Sequence, residues 1–145
     1  MAIPSGTYAV QAQDESMDVY YKTLAKKNEP VHSGDNKPIG LIIKHLHDNI
    51  YRFDAPDSTI DRNNRPLIVG VDSDLPMVRL IQEGGTENIQ EWAIEPAADD
   101  GWFRIRPPQS SDDRCWTTSE KGQPIYLKPS EDKSAKQLWK FTPAD

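Results

Sequence analysis

The segments QEWAIEP (Gln90 to Pro96) and QLWKFTP (Gln137 to Pro143) share one pattern, Q-x-W-x-apolar-x-Pro, with their tryptophans 47 residues apart. In a chain of 145 residues, that offset leaves room for about three copies of one unit. A unit of this length is a single supersecondary motif. It cannot bury its apolar face alone and must pack against its own copies. Two further series support a repeat. Pro30, Pro76 and Pro124 are 46 and 48 residues apart, and each opens a short apolar segment. Gly6-Thr-Tyr8-Ala-Val10, Asn49-Ile-Tyr51-Arg-Phe53 and Gly101-Trp-Phe103-Arg-Ile105 each read as a turn, an aromatic residue, and an apolar residue two positions on.

Twelve prolines and eight glycines punctuate the chain, and its apolar residues mostly alternate at period two. Both features favour short strands over helices. Proline suits the first residue of a strand, where its missing N–H breaks no ladder bond. Strand-like runs precede the three prolines, at Val19 to Leu24, Leu67 to Val71 and Arg114 to Thr118. The chain therefore reads as an all-β single domain, a β-trefoil over residues 1–145 with about four strands per repeat, in repeats of about 1–47, 48–98 and 99–145. Tyr8, Tyr51 and Phe103 are expected at equivalent core positions, as are Trp92 and Trp139. The first repeat lacks a QxW, so its counterpart is expected between Pro38 and Leu46.

The formal charge of −6 gives no basic footprint for nucleic acid and no attraction to an anionic membrane. Cys115 is the only cysteine, so no intramolecular disulfide forms. The start MAIPSGTYAV has neither a basic nor an apolar leader region, and a cytoplasmic monomer is expected. No nucleophile elbow, phosphate loop or H-E-x-x-H occurs. The pair His45 and His47 lacks a third ligand nearby, and Asp99-Asp100 and Asp112-Asp113 read as solvated turns. An enzyme is not expected, nor any metal or cofactor.

Function on a rigid β scaffold resides in its loops. Two stand out. Between Leu24 and Val31, Lys26, Lys27 and Asn28 present two cations on an acidic protein, with Pro30 stiffening the exit. A lysine held out in this way suits the acidic specificity pocket of a trypsin-like protease. The plain alternative is a solvated hairpin tip. Between Asp57 and Pro66, the residues Arg62, Asn63, Asn64 and Arg65 crowd one tip. They read either as turn chemistry or as bait for a protease cleaving after Asn or Arg.

The SGTYAV start, the three repeats, TENIQEWAIEP and the closing QLWKFTP together resemble the fungal β-trefoil protease inhibitors. These are the mushroom cospin-like serine protease inhibitors and the related mycocypins (clitocypins and macrocypins). The resemblance implies a defence protein that blocks a trypsin-like serine protease through a basic residue in the loop between the second and third strands. Here that residue is Lys27, nearer the tip, or else Lys26. It also implies asparaginyl endopeptidase as a second target, through Asn63 or Asn64. The first loop, AQDESMD, lacks the glycine by which mycocypins block papain-like proteases. The rival is a ricin-B-type lectin, which shares both the trefoil and QxW. Its sugar sites would start from Asp18 with Tyr20 or Tyr21, or from Asp112 or Asp113 with Trp116. The set is incomplete in each repeat, and no Asn directly precedes Gln90 or Gln137.

Overall fold

A computed structural model describes residues 3–60, 65–72, 75–87, 89–109, 113–131 and 134–144. Thirteen strands are found among them: β1 Gly6–Ala12, β2 Asp18–Tyr20, β3 His32–Gly34, β4 Leu41–His47, β5 Ile50–Ile60, β6 Pro66–Asp72, β7 Leu75–Ile81, β8 Trp92–Pro96, β9 Phe103–Arg106, β10 Arg114–Thr117, β11 Gln123–Pro124, β12 Tyr126–Pro129 and β13 Trp139–Pro143. β11 and β12 occupy the place of one strand, so the chain runs through four strands three times. All pairing between these strands is antiparallel.

The register reveals the symmetry. Tyr8 pairs with Leu41, Tyr51 with Trp92, and Phe103 with Trp139. The three aromatics are therefore equivalent, and so are the two QxW tryptophans. Leu41 takes the tryptophan's place in the first repeat, and Ile39, two residues earlier, takes the glutamine's. Two positions after each aromatic, Val10, Phe53 and Ile105 point inward and are buried. In the hairpins Val19 pairs with Ser33, Val69 with Leu80, and Trp116 with Leu127. Two residues before the second member of each pair, the three hairpins bond to one another in a ring. Val31 N–H donates to Val78 O (3.0 Å), Val78 N–H to Ile125 O (2.8 Å), and Ile125 N–H to Val31 O (2.9 Å). A barrel of strands with three hairpins locked about one axis is the β-trefoil.

This ring corrects one detail of the proline series. Pro30 and Pro124 are equivalent, each directly before a ring residue, whereas Pro76 stands one residue too early because Met77 precedes Val78. Pro76 lies in the stretch where the β6–β7 ladder shifts register, between the pairs Gly70–Arg79 and Asp72–Leu75. Two segments also differ in extent from the sequence expectation. β2 ends at Tyr20 because the chain turns at Lys22–Ala25. β5 continues to Ile60, inside the segment expected to be loop.

QxW works through both of its defined residues. Trp92 Nε1–H donates to Val69 O (2.9 Å) and Trp139 Nε1–H to Trp116 O (3.1 Å), two equivalent carbonyls. Each indole thus ties its strand to the hairpin before it while filling the core. Gln137 Nε2–H donates to Pro129 O (2.8 Å) and Thr117 Oγ1 (3.1 Å), and its Oε1 accepts from Glu131 N–H (2.8 Å). Gln90 likewise gathers Gly84, Gly85 and Glu87. Trp116 lies at the centre, edge-on to Trp92 (5.4 Å), Phe53 (5.5 Å) and Trp139 (5.8 Å). Among the described residues its own Nε1–H finds no acceptor.

That contrast predicts an order of stabilities. Trp92→Phe and Trp139→Phe lose both ring volume and an indole hydrogen bond, whereas Trp116→Phe loses volume alone. In urea denaturation the first two should cost about 1 kcal/mol more than the third, the net value of one buried hydrogen bond. Trp→Ala at any of the three should cost about 3–5 kcal/mol.

Candidate functional site

The hairpins allow the repeats to be compared residue by residue. From Val69 to Leu80 and from Trp116 to Leu127 the chain takes 11 steps, but from Val19 to Ser33 it takes 14. The first hairpin therefore carries three extra residues at its end, and Lys26, Lys27 and Asn28 lie within this lengthened connection.

The connection is two successive turns rather than one free tip. Ala25 N–H donates to Lys22 O (2.9 Å) across the first turn, and Glu29 N–H to Lys26 O (3.1 Å) across the second. The third residue of each turn has positive φ, Leu24 at 60° and Asn28 at 74°. Asparagine tolerates that backbone, but leucine adopts it only under constraint. The constraint is visible. Leu24 N–H donates to Asp57 O (2.7 Å), and Asp57 N–H donates to the buried Tyr21 hydroxyl (3.0 Å). Ala25 is wholly buried beneath. The second turn is fastened to β7: Asn28 N–H donates to Leu80 O (2.8 Å), and Leu80 N–H donates to Glu29 O (2.9 Å). Within it, the Glu29 carboxylate accepts from Lys26 N–H (2.5 Å).

Lys26 and Lys27 are therefore not alike. Both side chains are exposed, but the amide and carbonyl of Lys26 are both engaged within the turn. No hydrogen bond from the described residues reaches the amide or carbonyl of Lys27. Lys27 occupies the second position of the turn, with its backbone as well as its ammonium open to a partner. Leu24, four residues from Asn28, stands out into solvent with 68% of its surface exposed.

The second sequence candidate is described only at its edge. Arg62, Asn63 and Asn64 lie outside the described residues. Arg65, just before β6, sends Nη1 to Glu83 Oε1 (2.6 Å). Glu83 also pairs with Arg52, whose Nε contacts Asp54 Oδ1 (2.9 Å), and Lys44 Nζ reaches Asp54 Oδ2 (3.0 Å). Arg65 thus belongs to an ion-pair network on the sheet.

Two aromatic platforms of the lectin reading are corrected. Trp116 is wholly buried at the centre of the core and Tyr21 is 1% exposed, so neither can stack on a sugar. Tyr20 is half-buried and stacks on His32 at 5.3 Å. Asp18 Oδ1 accepts from Gln11 Nε2–H (3.2 Å). Asp112 lies outside the described residues, and the carbonyl of Asp113 is bonded by Ser130. His45 and His47 are exposed, and the β4–β5 register shifts between them. Among the described residues no cluster of three His, Cys, Asp or Glu side chains could hold a metal. Cys115 is buried, and burial raises its thiol pKa, which keeps it protonated and inert.

No family model matches the chain, and no curated protein matches it. Its fold is similar to several solved structures. A mosquitocidal holotoxin superposes with a TM-score of 0.79 at 19% identity; the match covers 99% of this chain, which spans 18% of the holotoxin chain. A proteinase inhibitor from Coprinopsis cinerea gives 0.69 at 15% identity, covering 99% of this chain and 100% of that one. SeviL bound to asialo-GM1 saccharide gives 0.69 at 11% identity, covering 97% and 99%. These likenesses establish the fold, a β-trefoil.

Two predictions follow from the double turn. Leu24→Gly relieves a left-handed leucine and exposes no new core, so the variant should be as stable as the parent or up to about 1 kcal/mol more so in urea denaturation. The second concerns pH. Burial pushes the Tyr21 phenol up to about 12, against about 10 in an unfolded chain. Folding therefore favours the protonated phenol. Its stabilisation is complete below pH 10 and is lost as pH rises towards about 12. The fall in urea midpoint between pH 9 and pH 11 should be shallower in Tyr21→Phe than in the parent.

Proposed function

We propose that this trefoil is a protease inhibitor and that Lys27 enters the acidic specificity pocket of a trypsin-like serine protease. The observation that carries this reading is the difference between Lys27 and its neighbours. The residues around it are fastened to β5, β7 or each other, while no interaction from the described residues reaches its amide, carbonyl or ammonium. A protease that binds a substrate-like loop requires all three. A loop already held in place loses little conformational freedom on binding, and that saving appears directly as affinity. The lysine is a selective anchor, because desolvating its cation is compensated only where a buried carboxylate waits. The fold shared with the Coprinopsis cinerea proteinase inhibitor is compatible with this reading. The Asn63 and Asn64 loop is proposed as a second, independent site for an asparaginyl endopeptidase.

The saccharide-bound neighbour keeps a lectin as the alternative. It is the weaker reading, because two of the aromatic platforms it would use lie in the core.

The test is inhibition of trypsin by single and double variants. Protease–inhibitor contacts of standard size depend on a few anchors. Lys27→Ala should therefore weaken inhibition at least about thirtyfold, or about 2 kcal/mol. Lys26→Ala should cost much less, and Lys27→Phe should shift preference towards chymotrypsin. Exposed turn residues contribute little to stability, so urea midpoints should hold within about 0.5 kcal/mol. If the double Lys26→Ala, Lys27→Ala variant inhibits trypsin as well as the parent, the loop is a solvated turn. The Asn63→Ala, Asn64→Ala variant should lose asparaginyl endopeptidase inhibition alone.

A further inference from the structure

A cavity of about 500 Å³ opens between the β8–β9 turn, the chain start at Ile3–Pro4 and the end of β13. Its walls are aromatic: Tyr8, Trp102, Phe103 and Phe141, with Phe103 and Phe141 edge-to-face at 5.7 Å. Asp99 and Asp100 also line it. The site is firmly built. Trp102 N–H donates to Asp99 O (3.2 Å) and Ala97 N–H to Trp102 O (2.9 Å), which closes the turn. Gly101 supplies the positive φ of 84° that the turn needs. On the other wall, the Tyr51 hydroxyl donates to Ile3 O and accepts from Ile3 N–H, both at 2.9 Å, which pins the chain start.

The polar groups decide what fits. The Tyr8 hydroxyl is committed to Pro4 O (2.7 Å). The Asp99 and Asp100 carboxylates are exposed, and no interaction from the described residues reaches them. The Trp102 ring already attracts a cation, with Lys140 Nζ 5.4 Å from its centroid. Two free carboxylates repel an anion, and among the lining residues the indole N–H of Trp102 is the one side-chain donor not already engaged. A neutral sugar can stack on such a ring and donate to the carboxylates, but it leaves their two charges uncompensated, as a cation does not. We infer that this cavity binds a small organic cation, an ammonium carried on a flat or aliphatic apolar body. The body lies among the rings of Phe103, Phe141 and Trp102, and the ammonium pairs with Asp99 and Asp100. The volume suits a small molecule, and the charge of the acidic chain favours capture of a cation.

The test uses three probes that share one ring: tryptamine (cationic), tryptophol (neutral) and indole-3-acetate (anionic). Binding to the full chain is read by calorimetry and ligand-observed NMR at low ionic strength. Tryptamine should bind saturably with a dissociation constant below about 1 mM, at least tenfold tighter than either other probe. Salt at about 0.5 M should remove most of that preference, because exposed charges are screened. Asp99→Asn with Asp100→Asn, at exposed positions, should weaken tryptamine at least tenfold and leave tryptophol unchanged. Trp102→Ala should weaken both. Lys27→Ala should leave tryptamine binding intact, and saturating tryptamine should leave trypsin inhibition intact, so this cavity and the Lys27 turn are judged separately. The inference is overturned if the three probes bind alike or none binds at 1 mM. It is likewise overturned if the double carboxamide variant retains tryptamine, or if a panel of simple saccharides displaces it.

Discussion

The ring of three backbone hydrogen bonds among Val31, Val78 and Ile125 is the constraint on which the rest of the structure depends. Each residue donates to the next and accepts from the one before. Each is wholly buried, so a missing member would leave a main-chain donor and acceptor without water. The residues are 47 apart in both intervals, the same offset that separates Trp92 from Trp139. The repeat length is therefore held by a closed cycle of bonds at one level of the fold, and elsewhere it is free to vary. The aromatics Tyr8, Tyr51 and Phe103, at the other end of the first strand pair, are spaced 43 and 52.

Symmetry in the core is of shape and not of composition. At the position shared by Val19, Val69 and Trp116, one copy carries an indole and two carry valine, so the single large ring fills space that three equal side chains would share. The position shared by Leu41, Trp92 and Trp139 has the reverse arrangement, with two large and one small. Close packing requires the summed volume to fit, not each copy to match. This is why the first repeat can lose its QxW altogether. Leu41 keeps the strand pairing of the missing tryptophan, and Ile39 replaces a glutamine whose task elsewhere is to collect loop carbonyls and amides.

The first hairpin differs in length from its two copies. It is three residues longer, and its connection is the double turn of Lys22–Ala25 and Lys26–Glu29; the ring of hydrogen bonds below it absorbs none of the change. Rigidity at that turn comes from borrowed partners: Asp57 from β5, Leu80 from β7, and the carboxylate of Glu29. The result is a short segment with a strained leucine and one lysine whose amide and carbonyl no described residue bonds. Backbone strain of this kind persists only where neighbouring structure over-determines it, and it collects at binding sites.

Read alone, the residues of this chain determine a threefold all-β architecture. The equivalence of Tyr8 with Tyr51 and Phe103 and the packing role of the QxW tryptophans are also legible there. These follow from period-two alternation and from spacing, which are local properties carried in the order of residues. Lys26, Lys27 and Asn28 are legible as an unusual loop, since two cations on an acidic chain stand out by charge. Tertiary structure alone decided the rest. Which residue replaces Trp in the first repeat depends on strand register, and register is set by partners distant in sequence. That Trp116 and Tyr21 are core residues, not sugar platforms, depends on which face meets the barrel. Asp99 and Asp100 read as an ordinary solvated turn until the rings of Tyr8 and Phe141, far away along the chain, close a cavity beside them. The distinction between Lys26 and Lys27 rests on backbone hydrogen bonds, and every residue carries the same amide and carbonyl. No residue name records which of them the fold leaves unpaired.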